Sequence, residues 1–107
     1  MNSYRYKVTV QALTGMKGEL VEGRHLSFEA VNHDDILGIV ERMQARLPFD
    51  GATIASLAVG LKLFFEVTLV HRNDPMFAMI YPALNEFVRG LKHRSAEEPP
   101  KSLGLLL

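Results

Sequence analysis

The run "AVNHDDILG", residues 30–38, holds the densest group of chemically capable side chains in the chain: Asn32, His33, Asp34 and Asp35. A histidine beside two carboxylates could ligate a divalent metal, or serve as a general base with an orienting acid. A metal would need further ligands, such as His25 upstream, because His33 has no second histidine at i+4 and no H-E-x-x-H arrangement is present. A helix start needs nothing more. Asn32, or Asp34 in an alternative register, can accept from the unpaired amides of a first helical turn. Asp35 follows Asn32 at capping-box spacing, and negative side chains suit the positive end of a helix dipole. Capping accounts for the stretch locally, so no metal site and no cofactor are assigned.

Other combinations are weaker. Ser56, His71 and Asp74 supply the residue types of a nucleophilic triad, but Ser56 lacks the G-x-S-x-G setting that presents a strained nucleophile. His71 is better placed in a last helical turn, and Asp74 at the start of the next helix. "GMKGELVEGR" contains neither G-x-G-x-x-G nor a Walker sequence, so its glycines signal turns. Arg5 and Lys7 alternate with Tyr4 and Tyr6, a faint likeness to a base-stacking sheet that lacks the positive excess nucleic acid requires. Glu22, Arg24, Glu29, Lys62 and Glu66 read as solvated surface or rim charges, and Met76 and Met79 as packing against an edge or a partner. No catalytic residue is assigned.

These side chains need elements to position them. Tyr4, Tyr6, Val8 and Val10 alternate with polar residues, which predicts a half-buried strand. Gly15, Gly18 and Gly23 punctuate the connection to a second strand, with Leu26, Phe28 and Ala30 on one face and His25, Ser27 and Glu29 on the other. A first helix is expected from Asp34 or Asp35 to Leu47, stopped by Pro48, with Ile36, Ile39, Val40, Met43 and Leu47 on its apolar face.

Asp50 then caps a second helix running to about Val70. Ile54, Leu57, Ala58, Leu61, Phe64 and Phe65 form one apolar stripe, and Val59, Leu63, Val67 and Val70 a second on nearly the opposite side. A helix apolar around most of its girth belongs in the middle of something. Whether its second face is covered by its own chain or by another copy is the main structural question. Asp74 and Pro75 open a further helical run from Phe77 to Leu91, interrupted by Pro82, where a kink or two consecutive helices is expected.

The chain has 107 residues, 48% hydrophobic and 22% charged, which is ordinary globular composition for one domain. Lys plus Arg equal Asp plus Glu at 12 each, which argues against a nucleic-acid partner and leaves little repulsion between copies. The absence of cysteine removes disulfides, thiolate nucleophiles and Cys-ligated zinc. "MNSYRYKVTV" lacks the apolar centre of a signal peptide. The apolar run from Ile54 to Val70 is shorter than the ~20 residues of a usual span and carries Lys62 and Glu66. The expectation is a cytoplasmic protein of bacterial type, with no membrane partner.

The segments "VEGRHLSFEAVNHDDILGIVERMQARLPFD", "LAVGLKLFFEV" and "HRNDPMFAMIYPALNEF" resemble those of a small bacterial family described only as a domain of unknown function, family 3861 of that series. The resemblance covers residues 4 to 93, implies a short stand-alone protein, and brings no activity to any residue.

The reading is an α+β protein: an N-terminal antiparallel β-hairpin packed on three or four helices, helix 2 central. Residues 1–93 form a single domain, and residues 94–107 a linker with an apolar tail that could dock on its own domain or a neighbour. The preferred function is a non-enzymatic, self-associating interaction or regulatory module. Val59, Leu63, Val67 and Val70 are the expected self-association face of a homodimer, and an unknown protein partner is the other expected contact. The alternative is a small-molecule-binding protein or minor enzyme, with a pocket between hairpin and helices containing Tyr4, Tyr6 and His25.

Overall fold

A computed structural model describes residues 2–94. The order of elements is β1 (Tyr4–Gln11), β2 (His25–Asn32), α1 (Ile36–Arg46), α2 (Gly51–Val70) and α3 (Pro75–Arg94). This is the expected α+β arrangement of an N-terminal antiparallel hairpin and three helices. The chain divides into two compact units, one ending at His33 and the other beginning at Asp34. The anticipated linker and leucine-rich tail lie outside the described residues beyond Arg94.

In the hairpin unit the register pairs Tyr4 with Asn32, Val8 with Phe28 and Gln11 with His25. Residues opposite each other share a face, so Tyr4, Tyr6, Val8 and Val10 join Leu26, Phe28 and Ala30 on the apolar side. On the polar side Thr9 and Ser27 meet through their hydroxyls at 2.8 Å, and Arg5 donates to Glu29 at 2.8 Å. The connection is ordered as a narrow extension rather than an open loop. Thr14 bridges Leu20, and the Gly18 amide donates to the Gly15 carbonyl around a tight reversal. Gly18 takes φ +85°, the left-handed conformation that lets the chain turn there without a Cβ penalty.

In the helical unit α1 starts one residue later than capping by Asp34, and three later than capping by Asn32, would place it. Asp35 is the N-cap, its carboxylate accepting from the Gly38 amide at 3.1 Å. Leu47 ends α1 in extended backbone (φ −98°, ψ 147°), as the residue before a proline must. Asp50 caps α2 and accepts from the Thr53 amide at 2.7 Å. Asp74 accepts from the Met76 amide at 2.9 Å, with Pro75 at the first position of α3. Against the two-helix alternative, α3 runs through Pro82 as one element. Pro82 lies on an exposed side of the helix, where water can satisfy the carbonyl that loses its amide partner.

The core of this unit has three contributions: Ile39, Met43 and Leu47, then Ile54, Ala58 and Leu61, then Leu84, Val88 and Leu91. Each large aliphatic side chain buried there stabilises the unit by about 1.5–3 kcal/mol. Helix α2 packs against both α1 and α3 and so holds the central position expected of it. Phe65 adds an edge-to-face contact with Tyr81, ring centroids 6.1 Å apart.

Candidate functional site

Helix α2 carries the feature that its unit does not explain. At 100° per residue, Ile54, Ala58, Leu61, Phe65 and Thr68 lie on one side, and these are buried or half-buried. Val59, Leu63, Val67 and Val70 lie on the other. Val59 and Leu63 are half-buried, while Val67 is 45% and Val70 65% exposed. Phe64, grouped by its spacing with the inner stripe, is also exposed, because it sits at that stripe's outer edge. The two apolar sides therefore differ: one packs inside the unit and the other faces outward. Gly60 lies between them with open space around it, since a Cβ there would meet no atom within 4 Å.

Two charged residues interrupt α2, and one of them corrects the sequence reading. Lys62 is not a surface charge: it is 4% exposed and its ammonium lies 2.6 Å from the Asp34 carboxylate. It also sits 5.7 Å from the centre of the Phe65 ring. Asp34 thus ties the entry of α1 to the middle of α2, while its neighbour Asp35 does the capping. One carboxylate of "NHDD" caps a helix and the other neutralises a buried cation.

The candidates for ligand binding fall into two places. Tyr4 and Tyr6 stack with ring centroids 6.2 Å apart on the apolar side of β1. His25 is the register partner of Gln11, on the polar side at the other end of the hairpin. Seven residue steps separate the two ends, about 23 Å. The structure does not bring His25 to the tyrosines. Instead His25 borders a cleft of about 500 Å³ near the hairpin tip, with Val10, Glu19, Val21, Arg24 and Leu26.

The residue types of the nucleophilic triad are likewise dispersed. Ser56 is in the second turn of α2 and His71 is its C-cap, about 22 Å apart along the axis. The Asp74 amide donates to the His71 carbonyl, a contact that shapes the turn between α2 and α3. Among the described residues no group of three or more His, Asp or Glu side chains gathers as metal ligands would.

A feature that the periodicity of α2 and α3 did not single out is a cleft of about 570 Å³ in the helical unit, with Phe49, Leu57, Phe87, Gly90 and Leu91 along it. Glu86, His93 and Arg94 form its polar rim. The Arg94 guanidinium lies 5.4 Å from the centre of the Phe49 ring. The signal in the sequence was a glycine inside an otherwise regular helical run, at position 90.

Comparison with protein families finds a match over residues 4–93 to a domain of unknown function with a solved structure, DUF3861. A crystal structure of a protein of unknown function from Pectobacterium atrosepticum is similar, with a TM-score of 0.73 and 28% identity over 85% of this chain and 98% of that one. No curated protein matches.

Proposed function

The chain belongs to the DUF3861 family, and from that premise we propose that it is a non-enzymatic interaction module that self-associates through the outer face of α2. The observation that carries this reading is the outer stripe of Val59, Leu63, Val67 and Val70, of which Val67 and Val70 are exposed and Val59 and Leu63 half-buried. Val59 and Val67 lie four residues to either side of Leu63. A second copy packed antiparallel about a two-fold axis at Leu63 sets Val59 of each chain against Val67 of the other. Gly60 permits close approach beside that axis. The zero formal net charge leaves little long-range repulsion to oppose such a pair.

Helix α2 is long and apolar enough to cross a membrane by length and composition alone. The reading nevertheless places the protein in the cytoplasm. Lys62 within this helix is held by Asp34, and the Ile54–Ala58–Leu61 side is committed to packing inside the unit. Inserting α2 would expose that cation to lipid at a cost of about 2.5–3.5 kcal/mol.

Sedimentation equilibrium tests the reading on the full chain. The wild type is expected to be a dimer and Val67→Glu a monomer with unchanged helix content. Val67 is already partly exposed, so the substitution leaves the core intact. A wild type that stays monomeric at high concentration would sink the proposal.

A further inference from the structure

The cleft along α3 is a second apolar surface, separate from the outer face of α2, and its make-up points to an occupant. Gly90 lies within a helix, where glycine costs about 1 kcal/mol relative to alanine. No neighbour requires it, because a Cβ there would meet nothing within 4 Å. A side chain at this position would project into the cleft between Phe49, Leu57 and Phe87. Glycine keeps that space open and lets another chain approach the α3 backbone.

We propose that the cleft binds the leucine-rich segment of the same chain, Leu103–Leu107, which lies outside the described residues. Three observations select this occupant. Arg94, the last residue of α3, is itself part of the cleft's rim, so the chain departs from the edge of the site. Eight residues, 95–102, connect Arg94 to Leu103. Fully extended they reach about 30 Å, whereas the rim from Glu86 to Arg94 spans only about 12 Å of helix.

The charges also correspond. The connecting stretch "SAEEPPKS" carries Glu97 and Glu98, three and four residues beyond Arg94, the fixed cation of the rim. "LGLLL" then supplies four leucines for an apolar cleft. A tether of this length holds them at an effective concentration on the order of millimolar, so a weak contact is sufficient for occupancy within one chain.

The experiment uses the full chain, whose lack of cysteine allows a single spin label at Ser102→Cys. The Val67→Glu background keeps the α2 face out of the measurement. Selective loss of the amide signals of Phe87, Gly90 and Leu91 is expected, with α1 unaffected. The loss should disappear in Gly90→Leu, which fills the cleft, and in Leu105→Asp/Leu106→Asp, which spares the folded unit. Unselective or absent attenuation in the parent would overturn the proposal. So would attenuation that arises only when labelled chains are mixed with isotope-enriched, unlabelled ones, since the occupant would then be a second copy. Sedimentation of the unlabelled wild type reports separately on the α2 face, so failure of one proposal is distinguishable from failure of the other.

Discussion

Asp34 and Asp35 are adjacent and chemically identical, yet they do different work. Asp35 caps α1, whereas Asp34 compensates the buried ammonium of Lys62. Removing one member of a buried pair leaves the other charged and desolvated, which costs about 3–5 kcal/mol in comparable cases. The asymmetry of exposure sets the expected order. Lys62 is nearly fully buried while the Asp34 side chain is 32% exposed, so Asp34→Ala strands its partner more severely than Lys62→Met does. Chemical denaturation should show a loss of about 3 kcal/mol for Asp34→Ala and a smaller one for Lys62→Met. Asp35→Ala should cost about 1 kcal/mol, as a lost cap does. A double-mutant cycle between Asp34 and Lys62 that gives no coupling would contradict this account.

Asp50 makes a prediction with a sign. The side-chain hydrogen bond with Thr53, followed by the bond from the Thr53 amide, holds its carboxyl below the ordinary value of 3.8. A depressed folded-state value means stabilisation that is complete above the unfolded value and lost as pH falls through the folded one. The gap in Tm between the wild type and Asp50→Ala should therefore be constant near neutral pH and close progressively below about pH 4. A gap that widens on acidification would show that Asp50 acts otherwise.

At the scale of elements, α3 tolerates a proline in its interior. Pro82 removes one amide donor and crowds the preceding turn, and interior proline is about 3 kcal/mol less favourable than alanine. Its exposed position offers no compensating burial. Pro82→Ala should raise stability by about 1–3 kcal/mol without changing the helix count, measured by thermal melting and circular dichroism. An unchanged or lowered Tm would mean the local geometry at Pro82 is needed for packing.

The strands and the starts of α2 and α3 are legible because their causes are local. Alternation marks β1 and β2, and Asp50 and the Asp74–Pro75 pair sit at the helix starts that their chemistry indicates. The interior of α3 was not, since a Pro signal reports the loss of one bond but not whether solvent and neighbouring turns absorb it. The cap of α1 was misplaced for a related reason. Three candidate acceptors stand within four residues, and the competing demand of Lys62 is 28 residues away from Asp34.

At the scale of the molecule, an interface built from Val59, Leu63, Val67 and Val70 is apolar and uncharged. Its association constant should change little between about 0.1 M and 1 M salt, because screening acts on charges and not on apolar burial. Sedimentation equilibrium at several ionic strengths checks this. A steep fall in association with salt would point to an interface carried by the charged sides of the chain instead.

The sequence by itself determined the α+β class, the hairpin, the helix starts at Asp50 and Asp74, and the two apolar stripes of α2, all of which follow from spacing along a regular element. Tertiary structure alone decided which stripe of α2 is enclosed, which aspartate answers Lys62, and that Gly90 borders a cleft with Phe49 and Leu57. It also placed His25 at the opposite end of the hairpin from Tyr4 and Tyr6. Periodicity reports that a face is apolar, but only the positions of other elements determine whether that face is filled. A charged side chain is buried or solvated according to partners that lie far away in the chain.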